Sequence, residues 1–156
     1  MIRNSKCRIF NDCTFFGYKN IYLENEYIRI NVLADKGSSI YELYYKSEDM
    51  DFLWKGWNQI RNTTHFISTK EEKSGTFLDY YEGGWQECFP ASNCNYKRAS
   101  FGLLGEICNI LFNYEILKNE EDEISIKFWV RTYKTPYYFE RIITLKNGHP
   151  EIFIKE

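Results

Sequence analysis

Excess positive charge, long apolar runs and histidine are all scarce in this sequence of 156 residues. Its 20 Lys and Arg stand against 22 Asp and Glu, giving a formal net charge of −2, which provides no basic surface for a phosphate backbone. No apolar run is long enough to span a membrane. Residues 1–10 are polar and do not resemble a secretory signal. We therefore expect no nucleic-acid or membrane partner and a cytoplasmic location.

The cysteines and histidines also lack the usual patterns of metal and catalytic sites. The five cysteines are an odd number without the two-residue spacing that binds zinc. They are Cys7, Cys13, Cys88, Cys94 and Cys108. Cys88 has no neighbouring His in sequence to activate it as a nucleophile. Of the two histidines, His149 follows a turn, whereas His65 could reach a cleft from a polar connection. We expect reduced structural thiols, no metal and no organic cofactor.

Aromatic residues are abundant, and they indicate the fold class. Thirteen Tyr, twelve Phe and four Trp stand against two Met, and rings pack well on the pleated surface of a sheet. Apolar residues alternate over residues 28–32, a turn follows at 35–37, and a second strand is predicted at 39–45. Residues 58–79 form a long polar connection of the kind that is often functional. These patterns predict an all-β chain.

The last third of the sequence has the clearest strand pattern. Apolar and polar residues alternate over residues 123–130, and another strand is predicted at 137–146. Asn147 and Gly148 then form a strong hairpin turn that leads into residues 151–155. No repeat or linker divides the chain, so we predict a single unit over residues 1–156.

One short motif points to a ligand. It reads Gly83, Gly84, Trp85, Gln86, Glu87, Cys88, Phe89 and Pro90. Paired glycines allow positive φ and a close approach of the backbone to a bound molecule, and an indole beside hydrogen-bonding groups suits a sugar. Trp85 is a candidate stacking platform or a core residue, and Gln86 and Glu87 are candidates for binding hydroxyls. Alternation along a strand would place Glu87 on the same side as Trp85.

Three further residues have two interpretations each. Asn93 and Asn95 could bind hydroxyls, or they could form a turn through their side-chain hydrogen bonds. Arg131 offers a fork of donors to a pair of hydroxyls or a phosphate, but it could equally pair with Glu140 or Glu106 on a sheet face.

The order of these segments resembles the galactose mutarotase-like superfamily, the relatives of aldose 1-epimerase. The early strand–turn–strand of residues 24–43 is similar to the start of such proteins, and the motif of residues 84–90 to their middle. The late similarity lies at Arg131, Thr132, Pro136, Tyr137, Glu140 and Arg141. The resemblance spans residues 23–156, and the collinear order is more specific than any one piece.

This resemblance implies an antiparallel β-sandwich that binds a monosaccharide or sugar derivative in an open cleft on a concave face. It also implies anomer interconversion, in which a Glu removes the anomeric proton and a His protonates the ring oxygen. The family's His-Gly-Glu triplet corresponds here to Leu104, Gly105 and Glu106, so the His is replaced. A Pro and a Trp of the family correspond to Leu111 and Phe112.

The resemblance further implies that residues 1–156 match the N-terminal portion of such a sandwich, because these domains can run to about 200–250 residues. A shortened sandwich leaves unpaired strand edges, which favour self-association or pairing with another chain. The sequence thus predicts sugar recognition without the proton-transfer pair. The alternatives are a non-catalytic interaction module or gene remnant, and a lipocalin-like closed sheet that binds an apolar ligand.

Overall fold

Eleven strands and two short helices form in the part of the chain that the computed structural model describes, which is residues 6–57, 59–61 and 75–156. The strands are β1 (Arg8–Phe15), β2 (Tyr18–Glu24), β3 (Ile28–Leu33), β4 (Ser39–Tyr45), β5 (Met50–Asp51), β6 (Asn95–Tyr96), β7 (Ala99–Ser100), β8 (Asn113–Asn119), β9 (Glu123–Arg131), β10 (Tyr138–Lys146) and β11 (Ile152–Lys155). The helices are α1 (Gly75–Asp79) and a 3₁₀ helix (Ile107–Asn109). Both described helices are too short to cross a membrane.

The strands pair antiparallel into two large sheets and one small ribbon. One sheet has the order β1-β2-β3-β4-β5, the other has the order β11-β10-β9-β8, and β6 pairs with β7. The predicted all-β antiparallel sandwich is therefore confirmed. Each large sheet has two separate edge strands within the described residues, so the closed strand ladder of the lipocalin-like alternative is wrong.

The core lies between the two large sheets and follows the predicted alternation. Ile30 and Val32 of β3 face Ile126 and Phe128 of β9 within one cluster, and all four are fully buried. Ile143 of β10 joins them. Because successive side chains of a strand point to opposite faces, the residues between these positions point away from this cluster. Among them, Asn31 is also buried, and its Nδ2 donates to Oδ1 of the buried Asn20.

Several predicted strand boundaries agree closely with the structure. β4 spans Ser39–Tyr45 as predicted, and β9 extends the predicted segment by one residue to Arg131. The turn with Asn147 and Gly148 joins β10 to β11, and Gly148 has a φ of 74°. The hairpin predicted at the end of the sequence is therefore confirmed.

Candidate functional site

The backbone of residues 82–85 is clamped between β4 and residues 54–56. Trp85 and Ile40 exchange two backbone hydrogen bonds, with N–O distances of 2.8 and 3.0 Å. On the other side, the N–H of Gly84 donates to the carbonyl of Trp54 at 2.9 Å. The motif is thus held on both sides by the five-stranded sheet and its extension.

The two glycines are needed for this clamp. Gly83 and Gly84 have φ angles of 96° and 83°, in the region that strongly favours glycine. A Cβ on Gly83 would lie 2.2 Å from the carbonyl oxygen of Trp54, and one on Gly84 would lie 2.7 Å from that of Ile40. The positive φ angles agree with the prediction for the double glycine. The close approach is made to the backbone of Trp54 and Ile40 rather than to a bound molecule.

An open hollow of about 490 Å³ lies beside the clamped segment. Its lining consists of Phe77, Leu78, Tyr81, Gly84, Trp85, Gln86, Leu103 and Leu104. Trp85 is 40% exposed. Tyr81 stacks between two further rings, with centroid distances of 5.1 Å to Phe77 and 5.8 Å to Trp54. The hollow therefore combines a wall of stacked aromatic rings with a solvent-reachable indole.

Gln86 connects the hollow to a buried ion pair. Its Nε2 donates to Oε1 of Glu82 at 3.3 Å, whereas its own buried Oε1 has no partner among the described residues. The carboxylate of Glu82 pairs with the ammonium of Lys36, and both side chains are almost fully buried. Lys36 and Glu82 were not predicted as site residues. The signals present in the sequence were a Lys inside the β3–β4 turn and a Glu immediately before the double glycine.

Glu87 points to a different set of partners. Its carboxylate pairs with the guanidinium of Arg141, which is fully buried in β10 and also contacts Glu156. Nη2 of Arg141 is within ion-pair distance of both carboxylates without a well-aligned hydrogen bond to either. Burial lowers the pKa of the Arg141 guanidinium, and Glu156 opposes that effect.

The structure thus separates Glu87 from the residues that line the hollow with Trp85. Strand alternation had suggested that Glu87 and Trp85 share a side. Residues 86–88 lie outside the strands, so a two-residue period does not apply to them. Gln86 is the member of the motif that lines the hollow beside the indole.

The triplet Leu104, Gly105 and Glu106 packs directly against the motif. The N–H of Phe89 donates to the carbonyl of Leu104 at 3.3 Å, and the N–H of Glu106 donates to the carbonyl of Phe89 at 2.8 Å. Leu104, which the resemblance aligns with a His, lines the hollow. The two segments that carry the resemblance therefore meet at one place.

The carboxylate of Glu106 stabilises a turn. It accepts hydrogen bonds from the backbone N–H groups of Tyr133 and Lys134, the second at 2.8 Å. Thr135 Oγ1 lies 3.4 Å from its other oxygen. Glu106 is mostly buried, so its function in the structure is to hold the chain between β9 and β10.

The remaining predicted site residues lie elsewhere. Asn93 is exposed at a φ of 49°, and its backbone N–H donates to the carbonyl of Gly102 at 2.9 Å. Asn95 begins β6. Arg131 ends β9 with its guanidinium 5.5 Å from the centroid of the Tyr138 ring. None of these three residues lines the hollow.

None of the five cysteines lines the hollow, and neither does His149. All five cysteines are free, and Cys88 is exposed. Burial raises the pKa of the Cys108 thiol to about 11, which keeps this thiol protonated and unreactive at neutral pH. His149 lies exposed in the β10–β11 turn, and His65 lies outside the described residues. Within residues 6–57, 59–61 and 75–156, no group of three or more His, Cys, Asp or Glu is placed to bind a metal ion.

No protein-family model, curated protein or solved structure matches this chain. The resemblance to aldose 1-epimerase relatives therefore remains a prediction from the sequence motifs. The observed sandwich and the contact between residues 89 and 104–106 are compatible with it.

Proposed function

We propose that this chain is a carbohydrate-binding protein of the aldose 1-epimerase type, which holds a monosaccharide or sugar derivative in the hollow beside Trp85. One observation carries the proposal. A half-exposed indole on a clamped backbone lines the same hollow as Leu104, and these residues belong to the two motifs that resemble the family. The hollow of about 490 Å³ is within the range of small-molecule sites, about 300–1,000 Å³.

The chemistry of the lining suits one apolar and one polar face of a sugar ring. The exposed indole of Trp85 offers a flat surface to C–H groups, and such amphipathic rings are common in binding sites. Gln86 supplies an amide whose Oε1 lacks a partner among the described residues. Its Nε2 is committed to Glu82, so the amide would have to turn toward the hollow for its buried Oε1 to accept a hydrogen bond from a ligand hydroxyl.

Binding rather than catalysis is proposed for the described site. Anomer interconversion in the resembled family needs a base and an acid, and each general acid–base group contributes about 10²–10⁴ in rate. The described lining residues include no carboxylate, imidazole or amine. The family's His position is Leu104, which transfers no proton. We also propose a cytoplasmic location, which the five free thiols support.

Titration calorimetry against a panel of neutral monosaccharides, oligosaccharides and sugar phosphates tests the proposal. We expect binding of at least one of them, and we expect Trp85→Ala to weaken it at least tenfold. Trp129→Phe is the matched control, because Trp129 lies on β9 of the other sheet and outside the hollow lining. Lack of binding across the panel at high concentration, or equal binding by Trp85→Ala, would overturn the proposal.

Polarimetry of freshly dissolved aldoses tests the proposed lack of catalysis separately. We expect the rate of mutarotation with the protein to equal that of buffer. A rate clearly above buffer that Trp85→Ala removes would show that the chain is an active epimerase.

A second candidate function is a non-catalytic interaction module. The observation that favours it is an apolar groove of about 340 Å³ beside the free edge of β11. If the chain bound no sugar of the panel but associated with itself, this function would be favoured over the first.

A further inference from the structure

The two sides of the sandwich differ in how they are covered. On the side of β1 and β8, the N–H of Cys7 donates to the carbonyl of Glu121 at 3.0 Å, and Asn11 Nδ2 lies 3.5 Å from the hydroxyl of Tyr114. On the side of β5 and β11, an apolar groove of about 340 Å³ remains. Its lining includes Ile28, Leu43, Tyr45, Phe52, Pro150 and Ile152. Hydrogen bonds connect the two sheets at the first side. At the second side, Asn25 Nδ2 donates to the carbonyl of His149 at 2.8 Å, and apolar surface remains exposed beside that contact.

The four edge strands of the two large sheets also differ. The ladder of β1 has a register shift between Phe10 and Cys13, and that of β8 has one between Ile116 and Lys118. The edge strand β5 has only two residues. Irregular and very short edges resist pairing with another strand. By contrast, β11 pairs with β10 over four residues in unbroken register. Of the four edge strands described, β11 is therefore the one that is longer than two residues and has no register shift.

The edge of β11 is also held in place. Glu156, directly after the strand, contacts the buried guanidinium of Arg141, with Oε1 2.8 Å from Nε. Ile152 and Ile154 pack inward against the core, whereas Phe153 is 43% exposed on the outer face. A strand anchored at its end loses little conformational freedom when a partner binds.

We infer that β11 is the docking edge for a second copy of this chain, and that two β11 strands pair antiparallel about a two-fold axis at Phe153. In that register, Glu151 lies opposite the partner's Lys155, and Lys155 opposite the partner's Glu151. Ile152 lies opposite the partner's Ile154 on the inner face, beside the apolar groove. The two Phe153 rings meet on the outer face. The segment is therefore self-complementary in charge and in polarity, as a two-fold interface requires.

Other registers lose this complementarity. If the axis moves by half a residue, to between Phe153 and Ile154, the outward Phe153 lies opposite the partner's inward Ile154. The cores of the two copies would then lie on opposite sides of the joint sheet. It also places Glu151 opposite the partner's Glu156. Moving the axis to Ile154 places Phe153 opposite the partner's Lys155. The register at Phe153 keeps both cores on one side and pairs opposite charges.

Sedimentation velocity over a range of concentrations tests the inference, using the full chain. We expect a reversible dimer in the micromolar range, because the joined strands and groove form an interface at the small end of the known size range. Glu151→Lys should weaken dimerisation at least tenfold, since symmetry creates two like-charge pairs from one substitution. Lys155→Glu should do the same.

The charge-swapped combinations supply the decisive controls. The double variant Glu151→Lys with Lys155→Glu should dimerise within about threefold of the original chain, because both opposite-charge pairs are restored. An equimolar mixture of the two single variants should form a mixed dimer for the same reason. Glu48→Lys, on the exposed β4–β5 turn, should leave dimerisation unchanged.

Two outcomes would overturn the inference. One is a chain that stays monomeric up to millimolar concentration, which would leave the groove to a different protein. The other is a dimer that neither single variant weakens, which would place the interface on another surface. Circular dichroism of each variant checks the fold, and both substituted positions are exposed.

Discussion

At the scale of single residues, the double glycine illustrates how local geometry fixes the candidate site. Gly83 and Gly84 lie with positive φ in a narrow space between two backbone segments. A side chain at either position would push the motif away from β4 and from residue 54. The position of the neighbouring indole of Trp85 therefore depends on the lack of a Cβ atom at both Gly83 and Gly84.

We predict that Gly83→Ala lowers the free energy of unfolding by about 2–4 kcal/mol, because it adds backbone strain and a steric clash. Its Cβ would lie 2.2 Å from the carbonyl oxygen of Trp54 at a φ of 96°. Urea denaturation measures the change. Gly148→Ala is the matched control: its φ is 74° with no atom within 4 Å of the added Cβ, so it should cost about 1 kcal/mol. Equal losses would contradict the steric part of the argument.

The buried ion pair below Gln86 gives a second prediction at this scale. Lys36 and Glu82 are 1% and 0% exposed, so neither charge is solvated if its partner is removed. We expect Glu82→Gln to lower the free energy of unfolding by about 3–5 kcal/mol. The double variant Lys36→Met with Glu82→Leu should recover much of the loss, because it removes both buried charges.

Chemical denaturation of the single and double variants measures these changes. Glu121→Gln serves as the control, since Glu121 and its partner Lys6 are both well exposed and such pairs contribute little. If Glu82→Gln proved no more destabilising than Glu121→Gln, the buried pair would not be a source of stability.

At the scale of elements, alternation and turn residues predict much of the sheet structure. β3 and β9 follow from apolar residues at every second position, because the sandwich buries one face of each strand. β4 and β10 follow from the turn residues that precede them, because Arg141 interrupts the apolar row of β10 and the core residues Ile40 and Leu43 of β4 are three positions apart. The hairpin at Asn147 and Gly148 follows from residues that accept positive φ. These signals are local, so a single sequence is sufficient to read them.

The first hairpin and β8 were not predicted. β1 and β2 turn at Phe16 and Gly17, which have φ angles of 50° and 79°, and Phe is an uncommon residue for that conformation. β8 is an edge strand whose half-buried positions are Tyr114, Ile116 and Lys118, so the third inward position is a lysine and the sequence shows no sustained apolar alternation. The long-range partners were also beyond reach: Glu87 contacts Arg141, and no local pattern connects positions so far apart.

Glu24 ties three elements together and makes stability depend on pH. Its carboxylate, at the end of β2, pairs with Arg8 of β1 and with Lys46 after β4, the second at 2.8 Å. Burial by itself raises the pKa of Glu24, but hydrogen bonds from Lys46 and Arg8 bring it below the ordinary value of 4.5. Because the pKa is lower in the folded state, the ionised carboxylate stabilises the protein at pH values above the pKa of the unfolded state. This stabilisation is lost as the pH falls through the pKa of the folded state.

We therefore predict that Glu24→Gln destabilises the protein at pH 7 and that its difference from the original chain shrinks as the pH drops below about 4.5. Urea denaturation at a series of pH values measures this. Glu48→Gln, on an exposed turn, should have little effect at any pH. A difference for Glu24→Gln that stayed constant down to pH 2 would show that its charge is not the source of the effect.

At the scale of the whole molecule, the motif connects the two sheets. Trp85 is hydrogen-bonded to Ile40 at the start of β4, and Phe89 packs on Phe139 of β10 with centroids 5.4 Å apart. Glu87 reaches Arg141 of the same strand. The motif therefore lies where the chain crosses from the five-stranded to the four-stranded sheet, and the hollow beside it is lined by residues that lie outside both large sheets.

One shared core should make the two sheets unfold together. Phe128 of β9 is fully buried in the cluster that includes Ile30 of β3, so Phe128→Ala leaves a cavity that both sheets border. We expect it to lower the free energy of unfolding by about 3–5 kcal/mol. The midpoints by tryptophan fluorescence and by far-ultraviolet circular dichroism should fall by the same amount, because the transition is cooperative.

Phe10→Ala is the control for ring loss, since Phe10 is 54% exposed on β1, and it should change stability far less. Two separate transitions in the Phe128→Ala variant would contradict a single cooperative unit. In that case the sheets would fold independently. Sugar binding would then follow the transition of the five-stranded sheet, because the backbone of Trp85 is held by Ile40 of β4.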